Sequence, residues 1–150
     1  MTIQTVAIGS DHAGTILKTR LCEVLKSLGY EVRDEGPFGT DRVDYPDYAG
    51  RVASLVSEGE VDAGVLICGT GIGMSITANK FKGIRAALVH DLFTAQMARE
   101  HNNANILVVG ARLLAPEYAE DCLRIWLDKD FEARHQHRLD KITQIENGLN

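Results

Sequence analysis

Three groups of residues in this 150-residue chain have the types and spacing to do chemistry. In the first, Leu66 to Asn79 (LICGTGIGMSITAN), an apolar run ends in Cys68, and Gly69, Gly71 and Gly73 follow at alternate positions. Glycines permit positive φ and close approach by a ligand. Successive backbone N–H groups can then converge on one anion at the start of the helix that follows. A thiol beside such a helix start has its thiolate favoured, so Cys68 is expected to ionise below the free value of about 8.5. It can then act as a base or nucleophile next to a ready-made anion hole. The second group is Asp11–His12, in which Asp11 also reads as a simple helix N-cap. The third is Arg134, His135, His137 and Arg138 (RHQHR), which opens what reads as the last helix. Positive side chains at a helix start oppose the macrodipole by about 0.3–1 kcal/mol each, and a bound anion reverses that penalty. Arg134 and Arg138, four apart, are expected to share a face and to grip one phosphate. A solvated charged face is the plainer alternative.

Two phosphate motifs fit the glycine loop poorly. The P-loop pattern GxxxxGK[ST] is missing. The dinucleotide fingerprint GxGxxG matches Gly69 and Gly71, with Asp91 near the place of a ribose-binding acid, but Met74 stands where the third glycine belongs. That motif also follows the third strand rather than the first, and no length remains for a separate catalytic domain. A tight turn with no ligand, and a Cys68 that merely ends a buried strand, remain open on the residues alone. Cys122 shares a stripe with Ala119, Leu123 and Trp126 and reads as a core residue.

The elements that must position these groups are legible from periodicity. Five short β-rich runs are expected: Thr5 to Gly9, Tyr30 to Asp34, Gly64 to Cys68, Ile84 to Val89 and Asn105 to Gly110. Three are almost continuously apolar, as in parallel strands covered on both faces. Helical stripes lie between them: Ile16, Leu17, Leu21, Val24, Leu25 and Leu28, stopped by Gly29, then Tyr48, Val52, Leu55 and Val56. Pro116 opens a later helix. The βα alternation predicts one α/β domain over residues 1–150: a doubly wound, Rossmann-like three-layer αβα sandwich on a mostly parallel five-stranded sheet, with an extra C-terminal helix. Glu35 to Asp47 is expected as a long loop over the site. Ligands of such sheets bind beyond the carboxyl ends of the strands. That rim carries Ser10, Asp11 and His12, then Cys68 to Gly73, then His90 and Asp91, then Ala111 and Arg112. His101, which ends a helix in REHNNAN, is expected near the mouth of the fifth strand.

Composition narrows the classes. A net charge of -5 argues against nucleic acid as partner. No window approaches the roughly 18 apolar residues of a membrane span, and the N-terminus has no leader pattern. Three widely spaced cysteines with no CxxC pair suit reduced thiols in a cytoplasm. The last helix carries the stripe Leu139, Ile142 and Ile145 with no later strand to cover it, so it is expected to lie on a partner chain of a homodimer or higher oligomer.

Taken together, GSDHAG, VDYPDYA, LICGTGIGMSITANK, REHNNAN and RHQHR make the chain resemble the type B ribose-5-phosphate isomerases over nearly its whole length. The wider group includes allose-6-phosphate and galactose-6-phosphate isomerases. The resemblance implies interconversion of ribose 5-phosphate and ribulose 5-phosphate in the pentose phosphate pathway, with no metal or organic cofactor. Cys68, followed by GTGIGMS with no acid, resembles the branch that uses a cysteine base rather than a glutamate. It further implies that Thr70 assists, that His101 opens the sugar ring with Asp11 as its helper, and that Tyr45 and Asn102 contact substrate. His12, Arg112, Arg134 and Arg138 match the phosphate set, with His135 close by. The N–H groups of Gly69, Gly71 and Gly73 would face the enediolate.

Overall fold

The computed structural model describes residues 2–148. Five strands, β1 Thr5–Ser10, β2 Glu31–Asp34, β3 Ala63–Cys68, β4 Ala86–Leu88 and β5 Ile106–Gly110, form one sheet in the order β2-β1-β3-β5-β4. Every pairing is parallel. β3 lies at the centre with all six residues buried, which is why its run reads AGVLIC without alternation. The chain leaves β1 toward one edge and returns through β3 toward the other. The gap between β1 and β3 is therefore the topological switch point, where such sheets bind ligands. Cys68 ends β3 and Asp11 directly follows β1, so both stand at that gap.

The main helices are α1 Thr15–Ser27, α2 Tyr45–Ser57, α3 Ile72–Ala78, α4 Leu92–Glu100, α5 Pro116–Asp128 and α6 Gln136–Glu146. α1, α4 and α5 pack on one sheet face through Leu21, Leu25, Ala95, Leu123 and Trp126. α2 and α3 cover the other through Ala49, Val52, Met74 and Ala78. This is the expected three-layer, doubly wound sandwich, with α6 added at the end.

Several boundaries and faces differ from expectation. Ile16 is 87% exposed and Leu28 44%, because the buried stripe of α1 runs through Leu17, Lys18, Leu21, Cys22, Val24 and Leu25 instead. Lys18 tolerates burial because its Nζ reaches both carboxylate oxygens of Asp34 at 2.7 Å. The long loop ends at Asp44 rather than Asp47, since Tyr45 and Pro46 already form the first turn of α2. β4 is only three residues long and forms the sheet edge.

The last helix begins at Gln136, and Ala133–His135 form a separate 3-10 turn. Arg134 therefore stands outside the helix, so its spacing from Arg138 does not place the two on one helical face.

Candidate active site

Cys68 is 95% buried, at the end of the most buried strand. The Gly71 N–H donates to its Sγ at 3.1 Å. The loop turns there because Gly71 adopts φ 81°, the left-handed region. A Cβ at Gly71 would also lie 2.4 Å from Leu88 Cδ1. Gly71→Ala is thus expected to lower unfolding free energy by roughly 3 kcal/mol, combining left-handed strain with overpacking. Urea denaturation measures it, and a loss below about 0.5 kcal/mol would show the loop to be adaptable. α3 has only seven residues, so the N–H aimed at sulfur matters more here than any macrodipole.

The other two thiols are held protonated by their surroundings. Burial, reinforced by the Asp34 carboxylate, pushes Cys22 up to about 11. Burial, with Asp91 and Asp121 adding, does the same to Cys122. Both are neutral thiols at pH 7, and Cys122 is a core residue as its stripe implies.

Other residues gather around this loop. The Thr70 hydroxyl is exposed and accepts from the Ile72 N–H at 3.3 Å. From the end of β5, the Ala111 N–H donates to the Cys68 carbonyl at 2.8 Å and the Arg112 N–H to the Gly69 carbonyl at 3.0 Å. The Arg112 guanidinium lies over Gly69, with Nη1 3.1 Å from where a Cβ would sit. Tyr45, opening α2, rests its ring on Gly73, where a Cβ would come within 2.3 Å of Cε1. Gly73 is thus needed for this contact whatever its N–H does. Asp11 caps the 3-10 turn His12–Gly14, its Oδ1 accepting from the Ala13 N–H at 2.9 Å. It is anchored to the β3 end by its own N–H, which donates to the Ile67 carbonyl at 3.0 Å. His12 Nδ1 lies 3.3 Å from both the N–H and the carbonyl of Val43, so the 35–44 loop braces its ring. Met74, where a dinucleotide fingerprint needs glycine, fills the core under α3.

A second cluster lies elsewhere. His101 caps the C-terminal end of α4, before β5 begins. It does not stand at the mouth of β5, as expected from sequence, but at the opposite end of the sheet. The register pairs Gly64 with Ile106 and Cys68 with Gly110, so a strand length of about 13 Å separates the two ends. Asn102 lies there too, its carbonyl accepting from Arg85 Nε at 3.1 Å.

The tail joins this end through the Glu132 N–H, which donates to the Glu100 carbonyl at 2.8 Å. The rings of His101 and His135 stand 4.2 Å apart between centroids, tilted by 35°. Arg138 Nη1 donates to His135 Nδ1 at 3.0 Å, and Arg134 Nε to Glu132 at 2.6 Å. The chain thus brings together Asp11, His12, Tyr45, Cys68, Gly69, Thr70, Gly71, Gly73 and Arg112, and separately His101, Asn102, Arg134, His135 and Arg138. Asp11 and His101 of one chain do not meet.

His101, Glu132 and His135 offer ligand atoms all within 4.8 Å of one another, a grouping sequence reasoning missed because Glu132 carries no motif. Its chemistry does not suit a cation. Arginine only donates, so Arg138 at Nδ1 places the His135 proton on Nε2. Arg134 already neutralises Glu132. Burial above all, then Arg134, His101 and Arg138, hold His135 below the ordinary histidine value.

The surface next to both clusters is apolar. Ile72 and Ile76, on the helix that starts at the glycine loop, are 53% and 58% exposed. A groove of about 460 Å3 follows the free edge of β4, lined by Leu88, Met97, Asn102 and Ile142 among others. Among the described residues no helix is long and apolar enough to cross a membrane.

Comparison with known proteins places these features in context. Residues 6–142 match the family model described as ribose/galactose isomerase. The Escherichia coli ribose-5-phosphate isomerase B is 46% identical over 149 residues, covering 99% of this chain and all of that protein. A D-erythrulose-4-phosphate isomerase of Pectobacterium atrosepticum is 44% identical over 130 residues, 85% of each chain. The solved structure of Clostridium thermocellum ribose-5-phosphate isomerase B superposes with a TM-score of 0.95 at 47% identity, covering 98% of this chain and all of that one.

Proposed function

Given that the chain belongs to the ribose/galactose isomerase family, we propose that it interconverts ribose 5-phosphate and ribulose 5-phosphate in the pentose phosphate pathway, with Cys68 as the base. The observation that carries this is the sulfur at the switch point with a backbone N–H aimed at it from 3.1 Å.

In the proposed course, His101 protonates the ring oxygen as the C1–O bond of the cyclic sugar opens, and Asp11 helps remove the hydroxyl proton at C1. Cys68 then takes the proton from C2 of the open aldose. Charge moves onto the oxygen at C1, faced by the loop N–H groups not committed to sulfur and by the Thr70 hydroxyl. The proton returns at C1 as the hydroxyl proton of the oxygen at C2 passes to the oxygen at C1, leaving the ketose. Atoms and electrons balance with no cofactor or metal. His12, Arg112, Arg134 and Arg138 hold the phosphate, and Tyr45 and Asn102 the sugar. These contacts are remote from the reacting carbons, and their binding energy serves to orient C1 and C2.

This course needs both clusters on one substrate, and one chain keeps them at opposite ends of the sheet. The proposal therefore includes a homodimer in which the partner's His101 cluster faces Cys68. The exposed Ile72 and Ile76 beside the glycine loop support it, because burying them brings a second surface to that loop. So do Ile142 and Ile145 on α6, 47% and 65% exposed. Light scattering is expected to give twice the 16.5 kDa chain mass or a higher multiple, and a monomer at micromolar concentration contradicts it. The three free thiols suit a reducing compartment and support a cytoplasmic location for the activity.

The ring-opening role has its own test. His101→Asn is expected to slow conversion of cyclic ribose 5-phosphate by about 100-fold or more, and of the open ketose far less. Equal losses in both directions remove the assignment. Substrate length is tested by comparing kcat/KM for ribose 5-phosphate and allose 6-phosphate, with the pentose expected to win.

A further inference from the structure

His135 is the part of the second cluster that the proposed course leaves without a step. It ends the 3-10 turn Ala133–His135 and is only 3% exposed. The turn is pinned to the last residue of α4 by the Glu132 N–H to Glu100 carbonyl bond, directly before His101. The ring lies 4.2 Å from that of His101. One nitrogen is taken by Arg138 at 3.0 Å. The other, Nε2, is buried with no hydrogen-bond partner among the described residues, and sits 3.7 Å from Glu132 Oε2.

We propose that His135 is a positioning residue for His101: a buried platform, locked in one orientation by Arg138, that sets the plane of the His101 ring. The proposal rests on the reading of His101 as the ring-opening acid–base. The geometry opposes the alternative, that His135 binds the sugar phosphate. A substrate oxygen needs an accessible N–H, and the Nε2 is shielded while Nδ1 is occupied. His101, Arg134, Arg138 and Glu132 are the titratable groups that face the ring, and burial with the cations keeps it neutral. A neutral platform adds no charge beside His101. Platforms of this kind matter because a misplacement of about 1 Å can cost about 100-fold in rate.

Two variants of the full-length protein separate the possibilities. His135→Ala removes the platform. His135→Phe keeps a flat ring and replaces the unpartnered N–H with carbon, while exposed Arg138 turns to water. With ribose 5-phosphate, Ala is expected to lower kcat about tenfold or more, with KM within about threefold, and Phe to restore kcat to within about threefold. Conversion of the open ketose falls much less. In proton NMR spectra the His101 ring signals should move in Ala as the neighbouring ring is lost, and stay near their wild-type dispersion in Phe. A tenfold rise in KM in both variants with kcat unchanged would make His135 a substrate ligand and overturn the proposal. So would His101 signals that are the same in Ala as in wild type. If wild type itself shows no turnover, the isomerase reading fails, and the NMR comparison alone decides whether His135 positions His101. Should Ala not fold, the Phe kinetics decide.

Discussion

Cys68→Ala is expected to abolish isomerisation of ribose 5-phosphate, by roughly 1000-fold or more, while phosphosugar binding stays within a few-fold. The size follows from removing the only group proposed to carry the proton between C1 and C2, where a positioned base contributes about 100- to 10,000-fold. Binding survives because the substitution leaves the proposed phosphate ligands, His12, Arg112, Arg134 and Arg138, in place. Folding should also survive. Cys68 is buried at a strand end, and alanine loses one sulfur and leaves only the Gly71 N–H without its acceptor, a cost of about 1–3 kcal/mol that a domain of this size can bear. Coupled assay of ketose formation and calorimetric titration with the sugar phosphate measure the two effects. Turnover near that of wild type would remove Cys68 from the chemistry and leave the N–H···S contact as an anchor for the loop.

Mixing two inactive variants is expected to restore activity. Cys68→Ala lacks the first cluster's base, and His101→Asn lacks the second cluster's acid–base. If each site draws the two groups from different chains, a mixed dimer contains one fully native site and one doubly impaired site. Random reassociation of equal amounts yields half mixed dimers, and so about a quarter of the wild-type sites. The parents, each assayed alone on cyclic ribose 5-phosphate, should show almost none. No recovery after verified subunit exchange would mean that one chain supplies both groups. The strand-length separation of His101 and Cys68 within the chain argues strongly against that.

Much of the architecture was written in the sequence. Parallel, doubly covered strands leave unbroken apolar runs such as AGVLIC, and the βα alternation leaves few topologies. The glycine loop after Cys68 was legible for a similar reason: a chain has few purposes for three alternate glycines between a buried strand and a helix. Other features depended on contacts that local pattern does not encode. Lys18 is buried because Asp34, sixteen residues on, receives its charge, and Ile16 is exposed in consequence of which face that puts inward. Tyr45 joined a helix because Pro46 suits a first turn better than the tip of a loop.

The placement of His101 is the sharpest contrast. Sequence alone determined that it ends a helix, and the structure agrees. It could not determine which end of the sheet that helix reaches. A helix linking parallel strands must run back against them, so α4 starts beside the carboxyl ends and delivers its last residue to the amino ends. Residue types, their order and the fold class were fixed locally, by periodicity and turn chemistry. The division of the proposed site residues into two separated clusters was decided by strand direction across the sheet, which no short stretch of sequence contains.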